Sequence, residues 1–109
     1  MTNIANTPTP PYYSVIFTSI LKPDETGYEE MADTMLSLAK AQPGFLGAES
    51  VREGIGITVS YWDSLESIHL WKKNTSHLKA QELGKTLWYQ QYRVRIAKVE
   101  RDYSFDAEE

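Results

Sequence analysis

The stretch at residues 54–88, GIGITVSYWDSLESIHLWKKNTSHLKAQELGKTLW, constrains the fold more than any other part of this 109-residue chain. Ile55, Ile57, Val59 and Tyr61 alternate along a β-branched run, the pattern of a half-buried strand. Asp63-Ser64 breaks the run: Asp63 can cap a new helix, and Glu66 can reach back to complete the cap. Leu65, Ile68 and Trp71 then recur at helical spacing. Asn74-Thr75-Ser76 reads as a second cap, after which His77, Ala80, Gln81, Gly84 and Trp88 share one helical face. A strand thus hands over to two short helices carrying two tryptophans and two histidines. Any chemistry of the chain is expected there.

The flanking segments supply the rest of a domain. Residues 1–11, MTNIANTPTPP, form a polar, proline-rich arm, extended unless the body of the domain or a neighbouring subunit holds it. YYSVIFTSIL at 12–21 is a first strand with apolar residues on both faces: Tyr13, Val15, Phe17 and Leu21 on one, Tyr12, Ile16 and Ile20 on the other. Thr26-Gly27-Tyr28-Glu29 fits a capping box, and Tyr28, Met31, Ala32, Met35, Leu38 and Ala39 make the apolar stripe of a helix that Gln42-Pro43-Gly44 ends. Residues 45–52 are a second strand, turned at Glu53-Gly54 into the third. The last strand is expected over 92–105, with a β-bulge near Ala97-Lys98, because its apolar positions change from even to odd there. The domain spans 12–105, and 106–109 is a charged tail.

The order β-α-β-β-α-β, with the second helix broken in two, predicts an α+β, ferredoxin-like fold: a four-stranded antiparallel sheet with helices on one face. Tyr12, Ile16 and Ile20 on the other face are too apolar to face water, so a homodimer through that sheet face is expected.

Composition narrows the chemistry. Without cysteine, disulfides, thiolate metal sites and thiol nucleophiles are excluded. His69 and His77, eight apart, are not the i,i+4 pair of a helical metal site. No apolar run approaches the roughly 20 residues of a membrane span, and the N-terminus lacks the layout of a signal peptide, so a cytoplasmic protein without membrane contact is expected. Lys72, Lys73, Lys79, Lys85, Arg93, Arg95, Lys98 and Arg101 concentrate basic charge in one span of a chain whose net charge is −4. That stripe is read as a solvated face, as a source of salt bridges to the acidic first helix, or as a guide for an anionic small molecule, and no nucleic-acid partner is expected.

Tyr61-Trp62-Asp63-Ser64-Leu65-Glu66-Ser67-Ile68 followed by Trp71 resembles the strand-to-helix signature of the antibiotic biosynthesis monooxygenase family. Gln42-Pro43-Gly44-Phe45-Leu46-Gly47 with Glu49-Ser50, His77 followed by Ala80, and the closing strand from Arg93 to Tyr103 resemble the same family, over about residues 12–105. The resemblance implies a dimeric α/β barrel whose protomers each hold a pocket between sheet and helices. Some members oxygenate electron-rich polycyclic phenols with no metal or flavin; others bind and degrade haem. The haem-degrading set is an asparagine on the first strand, a tryptophan, and a histidine ten residues later. Trp71 matches the tryptophan, but Phe17 and Gln81 stand at the other two positions.

The resemblance therefore implies cofactor-free oxygenation of an electron-rich aromatic or quinol-like substrate by O₂, with a non-catalytic ligand-binding or stress-response module as the alternative and haem handling by another ligand set as a third class. Such oxygenation needs a water-poor aromatic cavity, a base near neutral pH and donors for an anion. His77 suits the base, with an ordinary pKa of about 6.5. Trp71 supplies aromatic wall, Asn74 a donor to substrate oxygen, and Phe17, Tyr61, Gln81 and Trp88 are expected to bind substrate. Against this stand plainer roles: core for Trp71, a helix cap for Asn74, packing for Trp62, Trp88, Tyr89 and Tyr92, and solvent exposure for His69.

Overall fold

The computed structural model describes residues 3–107, without the side chains of Thr75 and Ser76; Met1 and Thr2 of the arm and Glu108 and Glu109 of the tail lie outside the described residues. The chain runs β1 (Tyr12–Leu21), α1 (Tyr28–Lys40), β2 (Phe45–Glu53), β3 (Ile55–Trp62), α2 (Leu65–Lys73), α3 (Thr75–Leu83), a π-helical turn (Gly84–Trp88) and β4 (Tyr89–Val99). The four strands form one antiparallel sheet in the order β2-β3-β1-β4, the expected α+β, ferredoxin-like arrangement. Gly54, at φ 78°, makes the tight link between β2 and β3, a conformation glycine adopts without steric cost.

Register divides the side chains between two faces. Tyr13, Val15, Phe17 and Ser19 of β1 lie level with Trp62, Ser60, Thr58 and Gly56 of β3 and with Lys98, Ile96, Val94 and Tyr92 of β4. This is the helix side: Trp62 stacks on Trp71 of α2, and Tyr89 meets Tyr28 of α1. Trp62 and Ser19 are fully buried there. The opposite face presents Ile16, Ile20, Val59, Ile57, Ile55 and Val51, and carries no helix; Val51 is 68% and Ile55 52% exposed.

Part of that open face is roofed by the arm. The Ala5 amide donates to Glu49 Oε2 at 2.9 Å, and the Thr7 hydroxyl donates to the Tyr12 hydroxyl at 2.9 Å. Tyr12 in turn donates to Asp102 Oδ2 at 2.5 Å, which ties the segment after β4 to the same end of the sheet. A side chain at Gly47 would meet Ala5 at 3.0 Å, so the glycine lets the arm lie close. The body of the domain thus holds the arm.

Several sequence expectations are corrected. β4 stops at Val99, because β1 begins at Tyr12 and offers no partner beyond the Tyr12–Val99 pair. The register is unbroken through Ala97 and Lys98, so no bulge forms there. The change of phase has another cause: Val94 and Ile96 face the helices, Val99 the open side, and Tyr103 and Phe105 lie exposed beyond the sheet. The register shifts instead near Leu21–Tyr89, at the start of β4, and near Phe45–Gly47.

Two caps also move. Gly27, at φ 85°, takes the N-cap position of α1, and Asp24 Oδ1 satisfies the Thr26 amide and hydroxyl at 3.2 and 2.8 Å. Ser64, not Asp63, caps α2 by accepting the Ser67 amide at 3.1 Å, while Asp63 accepts the Ser67 hydroxyl at 2.6 Å.

Candidate functional site

Two aromatic groups occupy the helix side of the sheet. The first is a column that begins at Phe45 on β2, edge-on to Trp62 at 5.4 Å. Trp62 stacks on Trp71 at 6.2 Å and 25°, and Trp71 stacks on His77 at 4.5 Å and 10°. The chain builds it locally. Trp62 closes β3, Trp71 lies two turns into α2, and Asn74 ends α2 while its Oδ1 accepts the His77 amide at 3.3 Å to start α3. That sharp reversal folds His77 back onto Trp71.

The His77 ring is fixed as well as stacked. Its Nδ1 lies 3.1 Å from the Trp71 carbonyl oxygen, which can only accept, so Nδ1 carries the proton and the neutral ring keeps a lone pair on Nε2. No described residue hydrogen-bonds Nε2. Burial pushes the imidazole pKa below its ordinary 6.5, Lys72 adds to the lowering, and the Trp71 carbonyl partly opposes it. His77 is therefore held as a neutral base.

The second group joins β1, β4 and α1. Phe17 stacks on Tyr92 at 5.3 Å and meets Tyr89 edge-on at 5.5 Å. Tyr28 stands edge-on to Tyr89 at 5.7 Å and to Trp88 at 6.3 Å. The Trp88 indole N–H is used by the Thr26 carbonyl at 2.8 Å. Arg52 crosses from β2 to donate to Ser19 Oγ at 2.5 Å and to the Tyr28 hydroxyl at 3.3 Å, its guanidinium 5.3 Å from the Tyr28 ring centre. Burial and the Tyr28 hydrogen bond raise the Tyr89 pKa, so this phenol is neutral near neutral pH. Two glycines make room. A Cβ at Gly56 would collide with the Arg52 guanidinium, and one at Gly84 would lie 2.6 Å from the Tyr89 ring.

Along β1 and the edge strand β4 the helix side of the sheet is apolar and partly exposed, while β3 adds Ser60 and Thr58 to the same face. Val15 lies level with Ile96, and Phe17 with Val94; Ile96 is 51% and Val94 43% exposed although both face the helix side. A cavity of about 340 Å³ lined by Lys85, Tyr89, Gln90, Gln91 and Tyr92 adjoins the second group. A wider one of about 880 Å³ lies between Thr9-Pro10 and residues 98–103. Neither is lined by His77 or Trp71. Among the described residues, no three His, Asp or Glu side chains gather where they could hold a metal ion.

The structure brings His77, Trp71 and Asn74 together, and sets Gln81, half-buried, one turn along α3 from His77. Phe17 and Trp88 fall in the second group, with the Trp88 N–H occupied. Tyr61 is not part of either. It pairs with Ser14 on the open face, donates to Glu49 Oε1 at 2.7 Å and meets Tyr12 edge-on at 5.9 Å. Strand alternation causes this: with Trp62 under α2, its neighbour must point the other way. Asn74 Oδ1 serves as a cap, the plainer of its two expected roles. Sequence reading passed over Arg52 and Ser19; the signal was Gly56, a glycine within a strand, which often marks close approach by another group.

Comparison with known proteins agrees with this architecture. A family model for antibiotic biosynthesis monooxygenases matches residues 11–83. The chain is 55% identical over 104 residues to the uncharacterized protein YqjZ of Bacillus subtilis, covering 94% of this chain and 91% of that one. Among solved structures it superposes on Rv0793 from Mycobacterium tuberculosis with a TM-score of 0.76 and 14% identity, over 85% of this chain and 99% of that one. It also superposes on a point mutant of SnoaB, a cofactor-independent oxygenase from Streptomyces nogalater, with a TM-score of 0.73 and 10% identity, over 84% and 95% of the two chains. The chain belongs to the antibiotic biosynthesis monooxygenase family.

Proposed function

We propose that the protein is a cytoplasmic, homodimeric, cofactor-independent monooxygenase of an electron-rich aromatic or quinol-like substrate. One observation carries the reading: His77 is held as its Nδ1–H tautomer, stacked on Trp71, with a lowered pKa and no described partner for Nε2. The ring sits on the helix side of the sheet, the side to which Val15 and Phe17 of β1 and Ile96 and Val94 of β4 also turn their apolar side chains. Nε2 removes the phenol proton, and the resulting anion gives one electron to O₂. The radical pair combines at a ring carbon, His77 returns its proton to the peroxide oxygen, and loss of water leaves the quinone. One oxygen atom ends in product and the other in water. The homodimer reading is supported by the uncovered Val51, Ile55 and Ile57 on the opposite face.

The test is oxygen uptake by the metal-stripped protein with a panel of polycyclic phenols and hydroquinones. Uptake above the spontaneous rate that survives chelator and falls at least about 100-fold in His77→Ala is the expected result, given the usual worth of a general base. Uptake unaltered in both His77→Ala and Trp71→Phe would keep an enzyme but remove this site from it.

A second reading, a binding module that does not turn its ligand over, is favoured by the cavity of about 340 Å³ against Tyr89 and Tyr92, which involves no base. Tight binding of a phenol without oxygen uptake would select it.

A further inference from the structure

On the helix side, the end of the sheet away from Trp62 presents a fixed cation without a counter-ion. The register sets Arg52, Gly56, Ser19 and Tyr92 in one row across the four strands, and Ser50, Thr58, Phe17 and Val94 in the next. Gly56 lets Arg52 cross β3, because the guanidinium lies where a Cβ on that residue would stand. Ser19 and Tyr28 pin it there. Nη2 donates to Ser19 Oγ at 2.5 Å and to the Tyr28 hydroxyl at 3.3 Å, and Nη1 donates to the Ser19 carbonyl oxygen at 3.4 Å. A guanidinium has five N–H groups, so Nε–H and one N–H of Nη1 have no described acceptor. None of the three acceptors is a carboxylate. Among the described residues the only ion pair is Lys85–Glu82, at 3.6 Å, so Arg52 is not neutralised within its own chain. Ser50, Arg52 and Thr58 are exposed, and no described residue hydrogen-bonds the Ser50 or Thr58 hydroxyl.

We propose that Arg52, Thr58 and Ser50 form a binding site for the carboxylate of a small aromatic acid, whose ring lies beside Phe17 and Tyr28. Residues two apart on a strand are about 7 Å apart, so the guanidinium over Gly56 and the Thr58 hydroxyl bracket a gap of that size. A carboxylate fills it, since hydrogen bonds of about 2.8 Å at both ends leave room for its own width. Ser50, level with Thr58, offers a third donor. Charge selects a monoanion. No second Lys or Arg shares these two rows, whereas a phosphate monoester carries about −1.5 to −2 at pH 7. Aromatic rings frame the place: Phe17 is level with Thr58, and the Tyr28 ring centre lies 5.3 Å from the guanidinium. Because Ser19 and Tyr28 hold Arg52 before a ligand arrives, little ordering is left to oppose binding. The site stands apart from the oxygenation proposed for His77. Gly56 and Trp62, at the root of the His77 column, are six residues apart on β3, roughly 20 Å.

NMR titration of the full chain with naphthalene-2-carboxylate tests the site, with naphthalene-2-carboxamide as a neutral match in shape. The acid is expected to bind at least about tenfold more tightly than the amide, given the worth of hydrogen bonds to a charged group. Its shifts should centre on the backbone amides of Ser50, Arg52 and Thr58, and its affinity should fall as salt rises. Arg52→Gln is expected to abolish the preference for the acid. Because that change also releases Ser19 and Tyr28, Thr58→Val is the second variant: it leaves the guanidinium in place and is expected to weaken the acid about fivefold, with the amide unaffected. His77→Ala is expected to bind the acid as wild type does, and a loss there would overturn the separation of the two sites. Equal affinity for acid and amide, shifts centred on Lys85 and Tyr92, or full affinity in Arg52→Gln would each overturn the proposal. So would the absence of any saturable shift with the acid, an outcome that leaves the oxygen-uptake test of His77 standing.

Discussion

The two aromatic groups on the helix side are built from similar rings for opposite ends. The column of Phe45, Trp62, Trp71 and His77 terminates in the one ring whose proton can move near neutral pH, and burial makes that ring a neutral base. The group of Phe17, Tyr28, Tyr89 and Tyr92 holds phenols around Arg52, with Tyr89 pushed upward in pKa and so unable to act as a base. Both groups pack α1, α2 or the π-helical turn onto the sheet; only the first adds a group that accepts a proton. Aromatic density by itself says where a helix docks. A titratable ring in that density says where a reaction can occur.

The sharpest way to break the contrast is to remove the column at its root. Trp62→Ala deletes a fully buried indole, and unfolding in denaturant is expected to show a loss of about 3–5 kcal/mol. Gly84→Ala disturbs the other group instead, since the new Cβ meets the Tyr89 ring at 2.6 Å; overpacking of this kind costs about 1–3 kcal/mol, with His77 chemistry untouched. Tyr61→Phe removes a hydrogen bond on the open face and should cost about 1 kcal/mol, read in the same unfolding experiment, without altering oxygen uptake.

A change of pH separates the two groups more gently. Because the folded pKa of His77 lies below its unfolded 6.5, the unfolded chain binds the extra proton first as pH falls. The contribution of His77 is present above 6.5 and is lost as pH drops through the lower folded value. His77→Gln is expected to flatten that part of the stability profile. An unchanged profile would mean that burial does not set the state of this ring.

The fold was legible because periodicity changes where the elements change. Alternation through Ile55–Tyr61 gives way to helical spacing at Leu65, Ile68 and Trp71, and the face of His77, Ala80, Gln81, Gly84 and Trp88 is the half-buried to buried side of α3 and the turn after it. Local detail was less so. Asp63 and Ser64 are both good caps, and only backbone geometry decides between them. Apolar residues after Val99 imitated a strand because pattern does not show where the neighbouring strand ends. In the site, Trp71 and His77 could be singled out by residue type, whereas Tyr61 could not be excluded. Tyr61 and Trp62 are adjacent aromatics, and the side each takes is settled by α2 packing on Trp62. Arg52 was invisible since its role depends on a glycine four positions away in sequence and one strand across in space.

The measurement closest to the central claim is a pH titration of the His77 ring by NMR, with ring-nitrogen shifts reporting which atom bears the proton. A midpoint below 6.5 with the proton on Nδ1 in the neutral form is the predicted result. A midpoint above 6.5, or a neutral ring protonated on Nε2, would contradict the account of His77 as a base held by Trp71.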